Sequence, residues 1–414
     1  MKHTLTLTSA AHAAPRIALA LLTSTAMVAP ALAADQFAGQ DLSVLMISQP
    51  SMLDCAAEVA KAFEAETGAK VEITGQGYGN LHDSILAAFA GGTGAYDVVS
   101  LAYQWVGEFA DPGFLLPLDA SLTQTEGMIE RTKELFQWQG AQVALPYNGE
   151  AMLLFYRTDL FEAAGLTPPL TWDDWNAAAQ KLTGEGHYAT AIMGLREQAL
   201  TMWSNRYWGL GGGSLDPDAT GKVALDPQIA AAALEQLKTD VTAYSPPGAL
   251  SFGLPEASGQ FLAGNVAMVE MWPTFLGPMT LDASANAAVA GKIAAAPVPG
   301  NRPHSGGWGL AVPEASRHQE AAVAFVERAT TAAVDESCFA STGKGPVYSA
   351  TYATGSEYWL PELSEAVASA NPRSRGADAS RVNDMFDEVV ARFLAGELTS
   401  EEAALQMQDR LAAQ

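Results

Sequence analysis

Residues 141–166 read AQVALPYNGEAMLLFYRTDLFEAAGL, and their pattern decides how the chain is built. Alternating apolar positions predict a short strand over 141–145 and a second over 152–156. Pro146, Tyr147, Asn148, Gly149 and Glu150 stand between them and read as a turn, because Pro and Gly punctuate strands. A short helix over 159–164 follows, closed by Gly165 just past its last turn. The turn sets an aromatic ring, an amide and a carboxylate side by side. Such groups suit a polyhydroxylated molecule, which needs a flat apolar face and acceptors for its hydroxyl donors.

This stretch resembles the first crossover between lobes in extracellular solute-binding proteins of the maltose-binding type, whose pattern is roughly "PY…E…L.YN.DLF..AGL". The resemblance implies an α/β chain with the two-lobe periplasmic binding protein fold (type II). Each lobe is then an open β-sheet flanked by helices, and a multi-strand hinge joins them. Further motifs agree in order. Tyr96-Asp97-Val98 is similar to the family's "G..PDV", residues 113–118 (GFLLPL) to "G.L.PL", and residues 171–174 (TWDD) to "P.TWDE". QFLAGNVAMVEMWP at 260–273 resembles "F..GK.AM...GPW", and HSGGWGLAVP at 304–313 resembles the return crossover. Residues 343–348 mark a third crossing, and GELTSEEAAL at 396–405 resembles the family's closing "GE.TPEEAL". The lobes expected from these crossings are 34–146 with 305–345, and 147–304 with 346–414.

Composition bounds the rest. At 414 residues, 49% of them apolar, the chain exceeds what one core usually serves. Lys2 and Arg16 precede an apolar run that ends in Ala31-Leu32-Ala33, which reads as a signal peptide over 1–33 cut after Ala33. Thr23, Ser24, Thr25 and Pro30 interrupt the run, which is too short to span a bilayer. A soluble protein exported to the periplasm is expected. The net charge of −24 disfavours nucleic acid and anionic membranes and slows capture of anionic solutes. Solubility alone accounts for it equally well. Export permits a disulfide between the two cysteines, Cys55 and Cys338. Cys55 shares an apolar helix face with Met52, Val59 and Phe63, so two separate buried thiols remain the alternative.

Candidate ligand contacts come from the loops and strand ends. Gln49 follows the opening strand (42–47), and the resemblance places Tyr103 and Gln104 at the cleft, beyond the strand that Asp97 opens. The crossover supplies Tyr147, Asn148 and Glu150. Arg196, after a strand over 191–193, and Trp203 are added from the second lobe. Trp272 ends a strand beside Pro273 and is either a sugar platform or a core residue; Glu270 alternates along the same strand. Trp308 is a second stacking candidate. Arg381 stands roughly where the family often carries an aromatic residue before its closing helices, a departure from the pattern. Trp172 and Trp175 read as packing at a helix start.

Enzymatic motifs are missing. The Gly-rich loop at 75–80 has Asn80 where a dinucleotide fingerprint needs Gly. Six histidines form no H-x-x-x-H, and no G-x-S-x-G is present. A glycosidase needs two opposed carboxylates, for which only Glu150 and Glu270 suggest themselves. The resemblance therefore implies a monomeric binding protein without cofactor or metal. It would take a small neutral sugar or polyol to the permease subunits of an ABC transporter at the inner membrane. A polyamine binder of the same fold is the alternative, favoured by the negative charge.

Overall fold

The computed structural model describes residues 35–412 apart from 185, 197, 217–222 and 285; the expected signal peptide lies outside the described residues. The chain opens with β1 (Asp41–Ile47), α1 (Pro50–Thr67), β2 (Lys70–Gln76), α2 (Tyr78–Ala90) and β3 (Val98–Ala102). β1 lies between β2 and β3 and runs parallel to both. Local chemistry sets these limits: Pro50 occupies the first turn of α1, and Gly68 closes it at φ 75°, a left-handed conformation that glycine adopts freely.

The first crossing follows. β4 (Leu145–Ala151) and β5 (Leu153–Arg157) are separated by Met152 alone. β6 (Met268–Met271) and β7 (Ile293–Pro297) both pair antiparallel with β5 and complete a three-stranded sheet. The return crossing brings β8 (Ser305–Ala311) between β3 and β4, antiparallel to both, so the first sheet has the order β2-β1-β3-β8-β4. One buried core gathers residues between Phe37 and Tyr147 and between Leu310 and Cys338. A second gathers residues between Ala151 and Val298 and between Phe339 and Met407. The result is an α/β fold of two open sheets, each flanked by helices and joined by several passes of the chain.

Two sequence readings are corrected. Pro146–Glu150 is not a turn but the body of β4, whose seven residues are all buried. Proline is tolerated there because β4 is the edge strand, and the pairing shifts register between Trp308 and Gly309 opposite it. Gly149 answers to packing: a Cβ there would lie 2.4 Å from the carbonyl oxygen of Pro346. Residues 191–193 form no strand. Their backbone amides serve a neighbouring loop instead, with Ile192 donating to Ser245 Oγ and Gly194 to the Ala249 carbonyl.

The third crossing is fixed by a buried cation. Lys344 Nζ donates to the Tyr147 carbonyl at 2.6 Å and pairs with Asp335 at 3.0 Å. Asp335 also accepts from Val347 N and Thr351 Oγ1, so the pair leaves little unsatisfied. Cys55 in α1 and Cys338, in the helix Ala332–Thr342, are joined with an S–S distance of 2.11 Å. Replacing both cysteines by serine is expected to lower stability by about 2–4 kcal/mol, read from urea unfolding against the parent with its disulfide intact. Gly149→Ala, which collides with backbone, is expected to cost roughly 2–3 kcal/mol in the same measurement; an unchanged midpoint would contradict the close approach of the third crossing.

Candidate functional site

Between the two sheets lies a cavity of about 360 Å³. Its floor follows from strand register. Trp308 projects from β8 opposite Ala102 and Asn148, and it meets Trp105 edge-on at 5.6 Å and Tyr78 at 6.0 Å. Tyr78 in turn packs on Trp105 at 4.8 Å. Trp272, at the end of β6, forms the facing wall. It is half-buried and stands over Gly306, where an added Cβ would come 2.8 Å from its ring. Two indoles, one following β6 and one in β8, thus border one space, an arrangement suited to the C–H faces of a ring or chain.

Glu150 is the one carboxylate that lines this cavity among the described residues. It accepts from Thr274 N at 3.0 Å and from Thr274 Oγ1, at the N-terminus of the helix Pro273–Leu281. That helix end favours its charge. Burial nevertheless outweighs the hydrogen bonds and pushes its pKa up to about 7. Tyr147 and Gly149 alternate to the other face of the strand, whereas Asn148 shares the face of Glu150 and adds a side-chain hydrogen bond to it. Tyr147 donates to the Met52 carbonyl at 3.1 Å in the first core, and Asn148 Oδ1 accepts from Gly345 N at 2.7 Å.

His304 sits at the back of the cavity. Ser204 Oγ donates to the Thr201 carbonyl, so His304 Nδ1–H donates to Ser204 Oγ at 2.9 Å, leaving Nε2 to accept from Tyr103 Oη at 3.4 Å. Burial, helped by nearby Arg373, holds its pKa well below the ordinary histidine range, so the ring is neutral. Its backbone N–H donates to Asn205 Oδ1 at 2.7 Å, and Asn205 Nδ2 donates to Glu270 at 2.9 Å. Glu270 is thereby accounted for: it is fully buried and pairs with Arg206 at 2.9 Å, and Arg206 also pairs with Asp240 at 2.6 Å. Trp172 lies 4.6 Å from the Arg206 guanidinium, and Trp175 donates to Asp240. These side chains support the cavity from below.

Of the sequence candidates, Gln49, Tyr103, Gln104, Glu150, Trp272 and Trp308 meet at the cavity. Six others are placed elsewhere. Tyr147, Asn148 and Glu270 have the partners just given. Trp203 is wholly buried and donates to the Ala230 carbonyl, since its helix face points into the second core. Arg196 is largely exposed and pairs with Asp387, and Arg381 is exposed and pairs with Asp378. Cavity residues that were not anticipated include Tyr78, Thr274, His304 and Arg373. Tyr78 and His304 lie inside stretches the sequence reading had singled out; Arg373 lies in a Pro- and Arg-rich segment with no periodic signal.

Comparison with known proteins gives the family. Residues 50–336 match the model for bacterial extracellular solute-binding proteins. The chain belongs to that family. It is 26% identical over 334 residues to a probable amino-acid ABC transporter periplasmic-binding protein of Sinorhizobium fredii, covering 78% of this chain and 76% of the relative. Among solved structures, the ribitol complex of an ABC transporter solute-binding protein from Agrobacterium radiobacter K84 superposes with a TM-score of 0.79 at 25% identity, covering 90% of this chain and 98% of that one. Maltose-bound MalE3 of T. maritima gives 0.79 at 26% identity over 90% and 99%. The two-sheet architecture of this solute-binding protein is therefore the type II fold that the sequence implied.

The raised pKa of Glu150 makes a pH prediction. The native state holds this carboxyl protonated up to about pH 7, whereas the unfolded chain ionises it near the ordinary value of 4.5. Stability is thus lost as pH rises between those values, by roughly 3–4 kcal/mol at the limit. Glu150→Gln is expected to remove that loss. Urea unfolding at both ends of the window checks it, and an identical pH dependence in parent and variant would contradict the assignment.

Proposed function

We propose that this solute-binding protein captures a sugar or polyol between its two halves and delivers it to the permease of an ABC importer. The observation that carries the reading is the pair of indoles, Trp272 and Trp308, bordering a cavity with Glu150 at one end. Flat apolar faces supply area, while Gln49, Gln104 and Glu150 supply directional bonds to hydroxyls. In this reading the lobes are 34–146 with 305–345 and 147–304 with 346–414, and closure about the three crossings buries the solute. Export through residues 1–33 to the periplasm, and work as a monomer, complete the proposal. Among the described residues no helix is long and apolar enough to cross a membrane.

The protein is read as a binder and not an enzyme. Glycoside hydrolysis asks for a second carboxylate facing Glu150 across the cavity, and Glu270 is committed to Arg206 beneath it. The polyamine alternative is weakened by the same chemistry: burial holds Glu150 substantially protonated near neutral pH, and the cavity carries a cation of its own in Arg373.

A thermal-shift panel of sugars, alditols, amino acids and polyamines tests the reading, with stabilisation expected from a sugar or alditol. Stabilisation by spermidine or putrescine alone would overturn it. For the stabilising solute, Trp272→Ala is expected to weaken binding by more than about tenfold with the melting temperature of the free protein little changed. Unchanged affinity would remove Trp272 from the site.

A further inference from the structure

Arg373 is the odd charge of the molecule. Every other described arginine bonds a carboxylate or a backbone carbonyl. The Arg373 guanidinium has no such partner among the described residues, and its Nε is buried without a hydrogen bond. A buried donor left without a partner is costly, and more so when it belongs to a charged group. The backbone around it is well anchored: Arg373 N donates to Tyr103 Oη at 3.2 Å, and Arg375 binds Asp216 through its guanidinium. The side chain is thus held at the cavity wall beside the Tyr103 hydroxyl, with no counter-ion and with Nε unpaired.

Its surroundings select the ligand group. Arg373 is the one cation that lines the cavity among the described residues, and its field reaches inward far enough to help depress His304. On its outer side Arg373 borders a smaller cavity of about 180 Å³ with Asp83, Asp384 and Asp387, none of which reaches ion-pair distance of it; Asp387 is taken by Arg196. A carboxylate satisfies Nε and one Nη together in a bidentate pair, whereas a hydroxyl satisfies one donor. A phosphate dianion would ask for a second cation, and the cavity lining supplies none.

We propose that the solute is a sugar acid, an aldonate or uronate, whose carboxylate is taken by Arg373 while its hydroxylated body lies between Trp272 and Trp308. This rests on the proposed function and narrows it, replacing the uncharged solute expected from the net charge of −24. The surface field is screened within about 8 Å at physiological salt, so the local guanidinium governs the bound state while the field acts only on approach.

Isothermal titration with matched pairs tests it: D-glucuronate against D-glucose, D-galacturonate against D-galactose, D-gluconate against D-sorbitol, with L-serine as a carboxylate lacking a sugar. At least one acid is expected to bind about tenfold or more tighter than its neutral partner. Arg373→Gln should erase that preference while leaving neutral-partner affinity within about threefold, and Arg373→Lys should restore part of it. Melting curves of both variants confirm that they fold. Neutral partners binding as tightly as the acids, L-serine binding tighter than any acid, or equal losses for both members of a pair in Arg373→Gln would each overturn the inference. Binding of neutral sugars or alditols alone sinks the inference and leaves the proposed function standing; binding of no polyhydroxylated probe sinks both.

Discussion

The structure depends on one run of backbone passing from one sheet into the other with a single residue between. β4 ends at Ala151 and β5 begins at Leu153, so the two sheets cannot drift apart by more than Met152 allows. The return crossing into β8 pairs with β4, and the third crossing lays Gly345 against Gly149, with Gly149 N donating to the Gly345 carbonyl at 3.3 Å. Three passes of chain therefore meet at one waist. Side chains there are small or committed: Asn148 to Gly345, Lys344 to Asp335, Gly149 to the space below Pro346. The cavity is the gap that remains on one side of this waist.

Charge is managed around that gap by distance and pairing. Arg206, Asp240 and Glu270 are completely buried, which is tolerable because each ion has an opposite charge beside it: hydrogen bonds serve Arg206 Nε and Glu270 Oε1, while Arg206 Nη2 and Glu270 Oε2 meet as an ion pair. They hold Asn205, which holds the backbone of His304, which through its neutral ring meets Tyr103 from the other half. A chain of hydrogen bonds thus runs from the second core to the first through the back of the cavity. Nearer the mouth, His82 meets Glu108 at 3.0 Å, and Ser380 donates to the same carboxylate from the opposite half. The two halves touch through polar groups that water can replace, as expected of surfaces that separate and rejoin.

Much of this was legible in the sequence, and the failures have physical causes. The order of motifs gave the fold because each marks a strand end or crossing whose position the topology dictates. The stretch LPYNGEA misled because Pro and Gly usually end strands; here an edge position excuses Pro146 and a backbone collision explains Gly149. Reading it as a turn presented Tyr147, Asn148 and Glu150 together, whereas a strand sends Tyr147 away from the face that Asn148 and Glu150 share, and of those two only Glu150 lines the cavity. Trp203 and Arg196 failed for another reason: helical phase and partner choice are tertiary facts, and no local pattern shows that Asp387 waits for Arg196. Arg373 was missed because its significance is the lack of a carboxylate or carbonyl partner, which only the assembled fold displays.

The central claim is that a solute draws the two halves together. Two backbone amides report on it directly: Gly107 N, which donates to the Arg375 carbonyl at 3.0 Å, and Arg373 N, which donates to Tyr103 Oη. Both bonds join the half that contains the five-stranded sheet to the segment leading into the helix Ala379–Leu394 of the other half. Hydrogen exchange at these amides, followed by NMR with and without saturating solute, is the most direct measurement. Strong protection with solute and fast exchange without it is the predicted result. Equal exchange in the two states would contradict the account.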